Sequence, residues 1–282
     1  MRDFIITFFN VGNGHCSYVE FPNGQNALID IKVDKVIDLN AIINDDGSAF
    51  VKYNGDNVIE ILKEDKKVSK IDYLFITHPH KDHISGLEEL VNNFKIGTFI
   101  YSPVYFRPSH IYEDWEIYEK MKKGCYCESS YAAKNGCEIQ IGDCIISCLA
   151  PFDYLLSNQP ENVNNNGLLL KITCRGHKII IPGDIEEDGW ELVNDQDIKD
   201  TFLLLASHHG NNSGYYLEKI KVMNLEYVVI SAGAKTEHDA DQKYRNQVKE
   251  KVLTTRYRKV VMKIDQYNVL SAEYMKLEDC MN

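Results

Sequence analysis

Histidine, histidine, aspartate and histidine stand at positions 78, 80, 82 and 83, directly after the apolar run Tyr73-Leu74-Phe75-Ile76. Side chains two apart on an extended backbone share a face, so His78 and His80 can aim together. Asp82 and His83 follow where the chain must turn, and Ser85–Val91 reads as the start of a helix. A lone histidine is ordinarily a surface residue or a satisfied core residue. Four ligand-type side chains within six residues at a strand end form a metal site. Imidazole with carboxylate suits two adjacent divalent ions, Zn or Mn.

The flanking chain supplies the frame. Residues 3–31 read as three strands joined by the turns Val11-Gly12-Asn13-Gly14 and Pro22-Asn23-Gly24-Gln25. Asp30 ends the strand Ala27-Leu28-Ile29, where a buried carboxylate needs a partner, and a ligand histidine's second ring nitrogen would be one. Residues 33–57 read as a polar surface excursion with turns at Asn44–Gly47 and Tyr53–Asp56, followed by a helix over Asn57–Glu64. After a strand at Thr98–Tyr101, the stretch 101–137 is rich in aromatics (Tyr105, Phe106, Tyr112, Trp115, Tyr118) and reads as an insertion or lid. Strands follow across Gly136–Ala150, Leu168–Thr173 and Lys178–Ile181; the last stops at Pro182-Gly183-Asp184, a carboxylate placed to bridge metals. Thr201–Ala206 delivers Ser207-His208-His209-Gly210, and Tyr227–Ser231 ends in Ala232-Gly233. A helix over Asp241–Leu253, a strand over Lys259–Asp265 and the segment Asn268–Leu277 complete the expected elements.

Two hundred and eighty-two residues suffice for one large domain. The formal charge of −11 argues against a broad duplex-binding face, which should be basic. No apolar run reaches membrane-span length and no secretory signal is visible, so a cytoplasmic protein with no membrane contact is expected. The eight cysteines then read as free thiols, several of them buried. Cys125, Cys127 and Cys137 lack the fourth ligand of a zinc knuckle.

His-x-His-x-Asp-His resembles the signature of the metallo-β-lactamase superfamily. With Val11–Gly14, Asp30, the Asn run before Leu168, Pro182-Gly183-Asp184, His208-His209-Gly210 and Ser231-Ala232-Gly233, the chain resembles its ComEC-type metallohydrolases, whose pattern choline-phosphate esterases share. The resemblance spans nearly the whole chain, 101–137 least. It implies an α+β fold, a four-layer αββα sandwich over 1–282, acting as a stand-alone hydrolase without ComEC membrane regions. It also implies a ligand set for two divalent ions: His78 and His80 for the first, Asp82 and His83 for the second, Asp184 bridging, and a late histidine completing the second. Of the adjacent pair, His209 is assigned as ligand and His208 faces substrate; strand alternation leaves their order open. The third histidine expected for the first metal between Pro151 and Leu168 is missing, and only Asn162 and Asn164–Asn166 stand there. Asn10 and His15 replace common Asp, and Lys32 replaces Gly.

The expected activity is metal-dependent hydrolysis by a metal-activated hydroxide, most directly of phosphodiesters in a single-stranded nucleic acid or nucleotide. Asp82, Asp184 and His208 are the expected catalytic groups; His15, His238 and Asn166 are the expected substrate contacts. A carboxyl-type hydrolase (lactonase, thioesterase or β-lactamase) and a non-catalytic, metal-stabilised interaction module are the alternatives. A protein partner is compatible with either.

Overall fold

The computed structural model describes residues 2–33, 41–43, 49–51, 55–233, 238–256, 258–265 and 270–273. The turn at Asn44–Gly47, Tyr53 and Asn54, Lys235–Glu237 and the tract 274–282 with Cys280 lie outside the described residues.

The chain runs through β1 (Phe4–Phe8), β2 (Ser17–Glu20), β3 (Asn26–Ile29), β4 (Ala41–Ile43), β5 (Ala49–Val51), β6 (Lys70–Ile76), β7 (Lys95–Tyr101) and β8 (Cys127–Ala132). It continues through β9 (Glu138–Ile141), β10 (Cys144–Ala150), β11 (Leu169–Cys174), β12 (His177–Ile181), β13 (Leu203–Leu205), β14 (Tyr227–Ile230) and β15 (Lys251–Thr254), and returns as β16 (Val260–Ile264) and β17 (Leu270–Glu273). One sheet has the order β17-β16-β1-β2-β3-β6-β7-β8, the other β15-β14-β13-β12-β11-β10-β9, and among the described residues β4 and β5 form a separate two-stranded sheet.

Three apolar clusters make this a four-layer αββα sandwich. Phe4, Phe8, Ile29 and Phe75 of the first sheet meet Ile146, Leu170, Ile179 and Ile181 of the second between the sheets. Their strand neighbours Leu28 and Leu74 face outward against Leu87, Leu90, Trp115 and Tyr118 of the covering helices. On the other side, Ile180, Leu204 and Val228 lie under Trp190, Ile220 and Met223. Strands buried on both faces read as continuous apolar runs.

Strands joined by short turns, as the sequence places them over residues 3–31, pair antiparallel, whereas each sheet as a whole is divided. β3, β6, β7 and β8 run parallel, as do β12 to β15, and the remaining pairs are antiparallel. Hairpin turns are visible in sequence; a parallel pair needs a long crossover and carries no such local mark. The last part of the expected helix Asp241–Leu253 is instead β15, because Val252 and Leu253 pair with Val228 and Val229 of β14, leaving helix only at Asp241–Arg245. The stretch 101–137 supplies a covering helix, Glu113–Lys122, with Trp115, Tyr118 and Met121 buried, and the edge strand β8.

The cysteines also differ from expectation. Cys144 and Cys174 form a disulfide, with Cα atoms 4.4 Å apart. Pairing of Ile145 with Thr173 sets the two cysteines opposite one another on β10 and β11, a proximity that 30 residues of separation conceals. Cys16, Cys125, Cys127, Cys137 and Cys148 are free.

Candidate metal centre

The two parallel half-sheets place their strand C-termini along one edge of the sandwich. Asp30 follows β3, Thr77-His78 follows β6, Asp184 follows β12, and Ser207-His208-His209 follows β13. Ligands in open α/β sheets gather outside the carboxyl ends of parallel strands for the same topological reason.

Asp30 anchors the first group. Its backbone is left-handed (φ 56°), and its carboxylate, fully buried, accepts from Thr77 N (2.7 Å) and Thr77 Oγ1 (2.8 Å). It also lies 2.7 Å from His83 Nδ1 and 3.2 Å from His15 Nδ1. Burial alone would raise its pKa, but His83 and His15 hold it well below the usual carboxylate range. The Asp30 carboxylate therefore fixes the His83 ring and turns Nε2 towards the site.

His83 Nε2 lies 3.3 Å from Asp184 Oδ1. His78, His208 and His209 each point Nε2 at Asp184 Oδ2 from 3.7 Å. His209 Nε2 is 3.3 Å from Asp82 Oδ2, and His78 Nε2 faces His80 Nδ1 at 3.1 Å. Burial opposes ionisation of Asp184 and Asp82, yet the surrounding imidazoles keep both well below the ordinary value. Burial likewise disfavours the His83 imidazolium, and Asp184 and Asp30 outweigh it, raising His83 well above its usual value. Burial depresses His78 and His80, and His83 adds to both; His208 pushes His80 the same way.

A divalent cation fits this arrangement. The ligand atoms of Asp82, His83, Asp184 and His209 all lie within 4.8 Å of one another. His83 Nε2 and His209 Nε2 are buried without a hydrogen-bond partner, which costs free energy unless something else satisfies them. A raised imidazole between two buried carboxylates marks a place where positive charge is needed, and a metal ion replaces the proton there. Backbone approach is equally tight: a Cβ on Gly14 would come within 2.7 Å of the Asp82 carbonyl oxygen, so the first Gly turn lies against the ligand loop.

The six residues assigned as ligands from the sequence, His78, His80, Asp82, His83, Asp184 and His209, are thus brought together. His208 joins them. Strand alternation does not separate it from His209, because both residues lie beyond β13 in left-handed conformation (φ 50° and 55°). His209 Nδ1 faces Ser231 O at 3.1 Å; His208 Nδ1 faces Glu186 Oε1 at 3.0 Å and Ser213 Oγ at 2.9 Å.

The expected substrate contacts have the following partners. His15 is 1 % exposed, with its ring nitrogens on Asp30 and Ser17 Oγ, behind the ligands. Asn166 is fully buried, its amide donating to Gln159 O (2.8 Å) and its carbonyl accepting from Ser102 Oγ. His238 is exposed, and its carbonyl accepts from Asn212 N at 2.7 Å.

Sequence analysis did not single out Thr77, Glu186 or Ser213; Phe106, one of the aromatics of the expected insertion, sits with its ring edge-on to His80, centroids 5.1 Å apart. A signal existed for Glu186: it stands two residues after Asp184, the spacing that returns a side chain to the same side of an extended segment.

Comparisons with known proteins agree with this architecture. A profile described as "Metallo-beta-lactamase superfamily" matches residues 10–122. ComE operon protein 3 of Bacillus subtilis (strain 168) is 25 % identical over 185 residues, which is 64 % of this chain but 22 % of that protein. The chain therefore spans a small part of that relative's length. The fold is shared with YhfI of Bacillus subtilis, a metallo-beta-lactamase fold protein (TM-score 0.57, 12 % identity, 93 % of this chain and 100 % of that one). It is also shared with Igni18, a metallo hydrolase of Ignicoccus hospitalis (TM-score 0.52, 17 % identity, 96 % and 100 %). CmlA of Streptomyces venezuelae, a diiron beta-hydroxylase, shares it too (TM-score 0.55, 11 % identity, 94 % of this chain and 54 % of that one). The profile match over residues 10–122 and the shared sandwich show that the chain has the metallo-β-lactamase fold.

Proposed function

We propose that the chain is a dinuclear, divalent-metal-dependent phosphodiesterase, with a nucleotide or a single-stranded nucleic acid as substrate. The observation that carries the hydrolase reading is the convergence of Asp82, His83, Asp184 and His209 within 4.8 Å. The phosphodiester reading is supported by the ComEC-type pattern of motifs and by the aromatic stretch beside the ligands. Phe106 packs on both His80 and Trp115, which seats the segment carrying the exposed Tyr105 next to the centre. Aromatic faces near a phosphate-binding centre suit unpaired bases.

His78, His80, Asp82, His83, Asp184 and His209 would hold Zn or Mn ions, which supply Lewis acidity and a water of lowered pKa when bound. The protein contributes position and charge. Asp30 and Ser231 O fix the outer nitrogens of His83 and His209, so both rings present Nε2 inward. Asp184, buried and ionised, holds negative charge between the imidazoles and orients the groups around it. Among the described residues no helix is long and apolar enough to cross a membrane.

Hydrolysis of bis(p-nitrophenyl) phosphate with Mn or Zn, beside Asp184→Ala, tests the reading. The expected result is turnover that falls about a thousandfold in the variant, the scale of losing several kcal/mol of charge stabilisation. A metal-loaded wild type with no turnover of this ester, of single-stranded DNA or RNA, or of cyclic nucleotides would sink it.

A further inference from the structure

We infer that His208 is a metal ligand: it supplies the third protein nitrogen of the site formed by His78 and His80, in place of the histidine absent between Pro151 and Leu168. The inference rests on the dinuclear centre proposed above, and it departs from the substrate-facing role suggested by the sequence.

Three observations carry it. First, His208 Nε2, like His78 Nε2 and His209 Nε2, stands 3.7 Å from Asp184 Oδ2, which places it among the imidazole nitrogens around the expected bridging carboxylate. Atoms sharing a divalent ion at about 2.0–2.2 Å each are separated by roughly that much in a tetrahedral site. Second, the other ring nitrogen is tied outward, to Glu186 Oε1 at 3.0 Å and Ser213 Oγ at 2.9 Å. A carboxylate on Nδ1 fixes the tautomer whose Nε2 lone pair faces the site, the arrangement metal-binding histidines ordinarily show. His83 is held in the same way by Asp30, so each sheet contributes a candidate ligand imidazole braced by a carboxylate. Third, the backbone is bent to this end: successive left-handed residues at 208 and 209 send both imidazoles inward, where a strand would send one away. Left-handed conformation is unfavourable for residues other than glycine and needs surrounding contacts to hold it. His208 N supplies one, donating to Gly183 O at 3.2 Å beside Asp184.

The rival for the open position is Asn166, whose Oδ1 is buried without a partner. Its side-chain nitrogen donates to Gln159 O and its backbone carbonyl accepts from Ser102 Oγ, so the hydrogen bonds that orient it run to residues other than the ligand set. Glu186 is accordingly a positioning residue that acts through His208.

Metal counting, without substrate, tests the assignment. Wild type, His208→Ala, His209→Ala, Asn166→Ala, and the doubles His78→Ala/His208→Ala and His208→Ala/His209→Ala are loaded with Zn, desalted and assayed for metal per chain. Circular dichroism checks each fold. The wild type should retain about two equivalents and His208→Ala about one. The His78/His208 double should keep the same single equivalent, because both residues serve one ion, whereas the His208/His209 double should keep almost none. Glu186→Gln, which leaves every ligand in place, should weaken the first site about 10- to 100-fold in a Zn titration. If His208→Ala does not fold, that titration decides. Full metal content and unchanged affinity in both His208→Ala and Glu186→Gln overturn the inference, whatever happens to turnover. Loss of one equivalent in Asn166→Ala with retention of both in His208→Ala overturns it in favour of the asparagine. A protein that passes these counts yet hydrolyses no phosphodiester leaves the ligand assignment standing and removes only the substrate reading.

Discussion

In the first sheet one strand delivers four candidate ligands: His78, His80, Asp82 and His83 all follow β6. In the second, β12 delivers Asp184 and β13 delivers the histidine pair. The anchors differ as well. Asp30, an ionised carboxylate at zero exposure, ties Thr77 and His83 together. Its counterpart in the second sheet is Ser207, whose hydroxyl donates to Ile185 O at 2.5 Å. One half-site is set by a local loop locked by a charge. The other is set by the parallel register of two strands, with a neutral hydrogen bond as a pin. The backbone positions of Asp184 and the histidine pair should therefore depend on packing of the whole sheet, while Glu186 orients only the His208 ring.

The sharpest break in this contrast is Asp30→Ala. It leaves His83 Nδ1, Thr77 N and Thr77 Oγ1 without their acceptor in a dry interior, at a cost of about 3–5 kcal/mol. Chemical denaturation of the metal-free protein would measure that cost. Zinc titration should show a second site weakened by at least about tenfold.

The pH response follows from the same charges. Asp30, Asp82 and Asp184 are depressed in the folded state, so their stabilisation is complete above the ordinary carboxylate value of about 4 and is lost as pH falls through their folded values. His83 is raised, so its contribution is complete below about 6.5 and disappears as pH climbs through its elevated folded value. Denaturation in EDTA across the pH range should show stability falling on both flanks. Metal competes with the His83 proton, so affinity should rise with pH and binding should release protons, visible as a buffer-dependent heat in calorimetry. A metal affinity independent of pH between 5 and 8 would contradict the raised His83.

Ser207→Ala should be the mildest change. One neutral hydrogen bond is worth about 1 kcal/mol, and the parallel pairing of β12 with β13 remains to hold Asp184 near the histidines. Zinc content should stay at the wild-type level. A Ser207→Ala effect as large as that of Asp30→Ala would remove the distinction between the halves.

The same contrast explains what could be read without coordinates. The His78–His83 cluster is contiguous, so sequence exposed it whole, and Asp30 and Asp184 were marked by standing at the ends of apolar runs. Asp30 does lie on the outer nitrogen of His83, a candidate ligand, at 2.7 Å. The His208–His209 pair was visible, but its geometry was not: an expectation of strand alternation fails when both residues turn left-handed. Glu186, Ser213 and the Cys144–Cys174 bond depend on pairing between distant segments, which no local pattern specifies. Many of the strands were legible from apolar runs and turns, whereas the four layers were expected from the family resemblance. Mixed strand direction and β8 were not legible, because crossovers and edge strands carry weak local marks.

β16 lies between β17 and β1, so the open side of Phe4–Phe8 is covered by Val260–Ile264. β1 is an uncharged, almost wholly apolar pentapeptide, the kind of strand that recruits copies of itself when its backbone groups are unpaired. The return of the chain into the first sheet thus does a second service: it keeps separate molecules from joining edge to edge. Damage to β16 would show itself in turbidity before it showed itself at the metals.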